Sequence, residues 1–419
     1  MKKYICIVDA YSTGAELAPI FKKNGWSCIH IQSSSEIPQE YQSTFKHETF
    51  DFLISPKNES KDEFLKIAEE LKALSPEYII PGTETGVYVA DLLSSLVGTT
   101  GNSINTSALR RNKYSMQEAL KKAGINSIPQ FLAESVEQAK KWASELGKWP
   151  VVVKPVDSAG ADSVRFCNTI DEVEDAFNKI YGKKNKLGLT NKNVLLQERL
   201  NGQQYIVNAV SINGQHLITE IWSDDKKEVE NASLICEREI LLPYLGDVQD
   251  QLVEYMEKSL TILGIENGPS HSELMMTDSG PVLIETAARM QGTIMHHAVV
   301  SALGYSHVTL TAERYTKPEQ FVSRLGKKYM LKTQLQCITL ASEFEGVVKV
   351  NNCDELLKSL PSYFGMMHTP KAGDNIYRTT DLFTNPGIIY LCHQDQKQID
   401  VDHTTIRRYE KQGKLFELA

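Results

Sequence analysis

The chain has no long apolar run, no basic excess and no paired cysteine motif, and each absence narrows what it does. No stretch of its 419 residues approaches the roughly 20 apolar residues that span a bilayer, so no membrane partner is expected. The first apolar run, Tyr4-Ile-Cys-Ile-Val8, is too short for a signal peptide and is followed at once by Asp9, and a cytoplasmic location is expected. Lys and Arg number 45 against 53 Asp and Glu, a net charge of -8. With no basic stripe, nucleic acid is not expected as a partner. The seven cysteines (Cys6, Cys28, Cys167, Cys236, Cys337, Cys353, Cys392) are scattered, odd in number and without a C-x-x-C pair. They read neither as a disulfide framework nor as a zinc site. Gly-x-Gly-x-x-Gly and Walker A sequences are also missing, which excludes a standard dinucleotide or P-loop module. There is no internal repeat and no low-complexity segment.

What is present is an ordinary globular composition, 41% hydrophobic and 23% charged, in a chain long enough for about three domains. Short apolar runs alternate with helical patterns over the first hundred residues. Tyr4 to Val8, Cys28 to Ile31, Phe52 to Ile54 and Tyr78 to Ile80 read as strands, with helices near Leu17–Phe21 and Lys61–Leu74. This is the pattern of an α/β domain with a parallel sheet. Thr83-Glu84-Thr85 then falls at the C-terminal end of a strand, where open α/β sheets place ligands. Thr83 is equally a candidate helix N-cap.

From Asn105 the style changes. Asn112-Lys113 opens a helix that stops at Gly124, and a second helix follows over Val136–Leu146. Pro150-Val-Val-Val-Lys154-Pro155 is a strand ending in a lysine. The small-residue loop Asp157-Ser158-Ala-Gly160-Ala-Asp-Ser163 follows, where backbone N–H groups can approach an anion or simply turn a hairpin. Val194–Leu200 and Tyr205–Ile212 read as consecutive strands, with Asn201-Gly202 as a hairpin turn between them. A clearer hairpin spans His271-Ser-Glu273-Leu-Met-Met and Pro281-Val-Leu-Ile-Glu285, turning through Thr277-Asp-Ser-Gly280. A turn centred near Ser279 sets Glu273 opposite Glu285, with Cβ atoms roughly 5 Å apart. Two like charges so placed call for a cation between them, and hard oxygen ligands favour Mg²⁺ or Mn²⁺. Arg289 follows four residues later, within reach of the same phosphate. Past a helix at His296-His297, residues from about Lys327 onward hold short strands and turns.

The order Lys113, Lys154, small-residue loop, Gln197-Glu198-Arg-Leu200, Glu273, Glu285, Arg289 resembles the ATP-grasp family of carboxylate–amine ligases, and within it the L-amino-acid ligases that form dipeptides. Asn112-Lys113, Pro150–Pro155 and Ile284-Glu285-Thr-Ala-Ala-Arg289-Met-Gln-Gly292 carry the resemblance, which covers nearly the whole chain. It implies an α/β fold in three domains: a parallel-sheet domain over 1–108, a two-lobed nucleotide clamp over 109–316 with its lid at about 125–200, and a β-rich C-terminal domain over 317–419. It implies ATP with Mg²⁺ or Mn²⁺, and amino acids as substrates. A homodimer is compatible with it. By resemblance Lys113 and Lys154 contact the phosphates, and Ser158 and Gly160 belong to the loop that closes over them. The Glu198–Leu200 backbone faces the adenine, and Gln204 stands where an acidic residue often meets the ribose. Glu273 and Glu285 hold the metal, Arg289 stabilises an acyl phosphate, and His271, on the same strand face as Glu273, touches substrate or phosphate. Thr83 and Glu84 are the substrate-side candidates. Ala287 departs from the family, which often has an asparagine ligand there.

Three readings follow. The first is amide formation between an amino acid and an amine through an acyl phosphate, with ADP and phosphate released. The second is the same chemistry on a carrier-protein thiol, a purine intermediate or an amino sugar. The third is a nucleotide-binding protein without turnover, against which the intact set Glu273, Glu285 and Arg289 argues.

Overall fold

The computed structural model describes residues 2–157, 163–185, 188, 190–227, 234–292, 294–380 and 384–419. Four strands, Lys3–Val8 (β1), Trp26–Ile31 (β2), Phe52–Ile54 (β3) and Tyr78–Pro81 (β4), form a parallel sheet in the order β3-β2-β1-β4. The unbroken apolar run in β1 reflects cover on both faces. Ile5 and Ile7 pack with Leu17 and Phe21 on one side, Cys6 and Val8 with Phe64 and Leu71 on the other.

A second sheet is antiparallel. Gln130–Ala133 (β5), Val151–Pro155 (β6), Arg165–Cys167 (β7) and Val194–Glu198 (β8) run in the order β5-β8-β6-β7. Helices Val136–Leu146 and Ile170–Ile180 bury Ala139, Ala143, Val173 and Phe177 against Val151 and Val153. The alternate positions of β6, Val152 and Lys154, face the central cavity.

The third sheet holds Gln203–Ile212 (β9), Gln215–Lys227 (β10), Ile235–Leu241 (β11), Gly268–Thr277 (β12) and Gly280–Ala287 (β13). The C-terminal strands are Gln334–Thr339 (β14), Gly346–Asn351 (β15), Tyr363–Met367 (β16), Asn375–Ile376 (β17), Ile388–His393 (β18) and Phe416–Leu418 (β19). Three of them extend this sheet to eight strands, β13-β12-β9-β10-β11-β14-β18-β16, while β17-β15-β19 stand apart. The section beyond residue 317 thus shares a sheet with the clamp.

One expectation is corrected. Asn201-Gly202 does not turn a hairpin, because β8 pairs with β5 and β6 whereas β9 pairs with β10 and β12. The dipeptide carries the chain from one sheet to the other. Gly202 is required there by contact: its φ is +149°, and a Cβ would lie 1.9 Å from the Met276 carbonyl oxygen. No helix among the described residues is long and apolar enough to cross a membrane.

Candidate active site

All eleven described candidates (Thr83, Glu84, Lys113, Lys154, Glu198, Leu200, Gln204, His271, Glu273, Glu285 and Arg289) line one cavity of about 860 Å³ between the two antiparallel sheets. Ser158 and Gly160 lie outside the described residues.

The predicted register of the acidic hairpin is observed: Glu273 on β12 pairs with Glu285 on β13, next to a bulge at Glu273/Leu274. Their charges are met by cations from other elements. Asn112 caps the helix Lys113–Lys122 by accepting from the Ser115 N–H at 2.9 Å. Lys113, the first residue of that helix, places its ammonium 2.8 Å from Glu285 Oε2. Burial would raise the Glu273 carboxyl, but His271, Lys226 and Arg289 outweigh it and hold it down to about 2. Glu273 is therefore a carboxylate at neutral pH, as a metal ligand requires. His271 bonds Asn208 Oδ1 through Nδ1 at 2.9 Å and turns Nε2 toward Glu273 Oε1 at 3.9 Å. Ala287 lies opposite His271 and brings no oxygen to the pair.

Lys154 is 6% exposed and has no ion-pair partner among the described residues. Burial and the nearby Lys113 charge push its ammonium down to about 8. A buried cation with Glu285 and Glu273 beyond ion-pair distance, beside a second lysine, is a cradle for an anion such as a phosphate. Across it, the Glu198 carboxylate pairs with Lys148 at 2.7 Å and its N–H donates to Pro129 O at 2.9 Å. Leu200 and Asn201 then line the wall where the chain passes between sheets.

On the substrate-side wall the structure changes two readings. Thr83 precedes the short 3₁₀ turn Glu84–Gly86 but makes no side-chain cap hydrogen bond, so capping does not explain it. The turn is pinned by Thr85, whose hydroxyl donates to Asp9. Glu84 is not a free carboxylate: Arg289 Nε donates to it at 3.0 Å, and Arg111 Nε lies 3.8 Å away. Gln204, expected near a ribose, instead donates through one Nε2 to Asp224 Oδ2 at 3.0 Å and Glu273 Oε2 at 2.8 Å. An amide facing two carboxylates, one of them buried, is drawn to them before any neutral hydroxyl.

Sequence reasoning missed several lining residues. Asp224 and Lys226 on β10, Cys236 and Glu239 on β11, and Gln291 after β13 all face the cavity. Burial raises the Asp224 carboxyl, and burial with the Asp224 charge pushes Glu239 up to about 8. A signal existed in the acidic and basic residues at alternate positions closing an apolar strand, Asp224 and Lys226 after Trp222.

Comparison with known proteins agrees with this geometry. Residues 147–297 match the ATP-grasp domain family. The chain is 32% identical over 414 residues to dapdiamide A synthase of Enterobacter agglomerans, covering 98% of this chain and 96% of that protein. It is 25% identical to an L-arginine-specific L-amino acid ligase of Bacillus subtilis, over 54% of each. Its fold matches the L-amino acid ligase from Bacillus licheniformis with a TM-score of 0.76 at 16% identity, covering 100% of this chain and 98% of that one.

Proposed function

The chain belongs to the ATP-grasp family of carboxylate–amine ligases, and from that premise we propose that it joins the carboxylate of an amino acid to an amine through an acyl phosphate, with release of ADP and phosphate. One observation carries this reading: the opposed pair Glu273/Glu285, the half-buried Lys113, the buried Lys154 and Arg289 share one cavity. Family members use ATP and Mg²⁺, and the acidic pair suits a hard divalent ion. Held there, a magnesium ion would supply neutralisation of phosphate charge.

The chain's own residues have distinct tasks in this proposal. Lys113 and Lys154 bind phosphate oxygens, and the anion supplies the direct ion-pair partner that Lys154 lacks among the described residues. Glu273 and Glu285 would hold the metal, and Ala287 adds no side-chain ligand to them. Arg289, oriented by its hydrogen bond to Glu84, stabilises the negative charge of the acyl phosphate as the amine attacks. Glu84 and Thr83 bound the amino-acid side of the cavity. His271, fixed by Asn208, contacts the substrate or phosphate beside Glu273. Phosphoryl transfer needs such positioning and charge neutralisation more than covalent assistance.

The test is incubation of the purified chain with ATP, Mg²⁺ and pooled amino acids, followed by ADP and phosphate measurement and mass analysis of products. A dipeptide formed in proportion to ADP is expected. ADP release only with a thiol, a purine intermediate or an amino sugar would replace the acceptor, and no turnover with any of them would overturn the ligase reading.

A further inference from the structure

The register that opposes Glu273 to Glu285 is repeated two strands away. Asp224 on β10 lies directly across from Glu239 on β11, and both line the same cavity. Carboxylates so opposed destabilise a sheet unless a cation lies between them. Lys226 supplies part of that charge, with Nζ 2.7 Å from Asp224 Oδ2. Gln204 occupies the same oxygen. The other oxygen, Asp224 Oδ1, is buried with no hydrogen-bond partner among the described residues, on a side chain only 2% exposed. Buried carboxylate oxygens are nearly always bonded, so this one awaits a donor. Glu239 has one oxygen held by Gln291 Nε2 at 3.0 Å. Its nearest ligand atom and those of Asp224 and Cys236 lie within 4.8 Å of one another.

We propose that Asp224 and Glu239 form the subsite for the ammonium group of the amino acid whose carboxylate is activated, a role that rests on the ligase reading above. An ammonium brings three N–H donors, which suits the Asp224 and Glu239 oxygens that Lys226, Gln204 and Gln291 leave open. Position favours the acyl donor over the attacking amine, because Gln204 bridges Asp224 and Glu273 through one nitrogen. The subsite is thus one side chain away from the residue proposed to hold the metal at the reacting carboxylate. Glu84, the other acidic residue on the cavity wall considered for an ammonium, already faces two guanidinium groups. An acid without the ammonium would leave Asp224 Oδ1 unpaired, and sites built for a hydrogen bond reject substrates that lack it.

The test uses hydroxylamine as the amine, so that only the acyl donor varies. Each proteinogenic amino acid is compared with its des-amino carboxylate at saturating ATP and Mg²⁺, reading ADP release and hydroxamate. The wild-type chain should prefer at least one amino acid over its des-amino partner by on the order of 100-fold in kcat/KM. Asp224→Asn and Glu239→Gln should each raise that amino acid's KM roughly 30-fold or more. They should leave the ATP KM and the des-amino acid's kcat/KM within about threefold. Equal losses with both acids, or no loss with either, would overturn the subsite. So would a second Mn²⁺ bound to the ATP-free chain, seen by electron paramagnetic resonance and removed by Asp224→Asn. If no amino acid supports ADP release, the ligase reading fails separately. The subsite is then read by saturation-transfer NMR with ADP present: amino-acid binding that exceeds des-amino binding and disappears in Asp224→Asn supports it, and equal binding overturns it.

Discussion

Lys154 and Glu285 show how single residues in this cavity trade stability against chemistry. With its ammonium held down to about 8 by burial and Lys113, Lys154 destabilises the ATP-free protein wherever the unfolded chain would hold the proton more tightly. Its folded pKa lies below the unfolded value, so the penalty is full below about pH 8 and fades as the pH rises toward the ordinary lysine range. Lys154→Met should therefore stabilise the ATP-free chain by roughly 1–3 kcal/mol at pH 7 and abolish the rise in Tm on adding ATP. A lower Tm in that variant would mean that Lys154 has a structural counter-charge. Glu285→Gln keeps size but removes a metal-ligand charge, so turnover should fall by about two decades or more while circular dichroism is unchanged. Near-normal activity in the folded variant would remove Glu285 from the metal site. Glu84→Gln loosens the partner of Arg289 and should lower kcat strongly while the ATP KM stays nearly constant. Equal changes in both would assign Glu84 to general architecture. Lys113, Lys154, Glu273, Glu285 and Arg289 were legible in the sequence because each sits at the end or turn of a recognisable element. Asp224 and Glu239 were not, because their meaning depends on a strand pairing that brings residues 15 apart into opposition.

At the scale of elements, the hairpin β12–β13 was readable because its turn and both arms are contiguous. Gly202 shows the opposite case. An Asn-Gly dipeptide between two apolar runs has the same local signature whether the strands pair with each other or diverge into two sheets, and long-range partners decide which. The observed divergence places the backbone of Gly202 against Met276 and makes that position the connection between the two walls of the cavity. Gly202→Ala should cost about 2 kcal/mol or more through the clash and the left-handed backbone. It should also raise the ATP KM more than the amino-acid KM. Urea unfolding and steady-state kinetics check both, and an unchanged denaturation midpoint would show that the two walls can shift apart freely.

Over the whole molecule, the parallel sheet and the antiparallel sheets follow from strand patterns and were expected. The joining of β14, β18 and β16 to the clamp was not, since nothing local in short C-terminal strands tells which edge they extend. The attachment of the first α/β unit also depends on distant residues. Arg110 is fully buried, pairs with Asp91 at 2.5 Å, and donates to the carbonyls of Leu263 and Gly264 at 3.3 and 3.0 Å. Asp91→Ala leaves that guanidinium buried without its counter-charge and should cost about 3–5 kcal/mol, measurable as a lower denaturation midpoint.

The central claim, that these parts activate a carboxylate by phosphoryl transfer, is tested most directly with an amino-acid substrate carrying ¹⁸O in its carboxylate. The account predicts ADP as the nucleotide product and one ¹⁸O in the released inorganic phosphate for each amide bond formed. AMP and pyrophosphate, or phosphate without label, would contradict it.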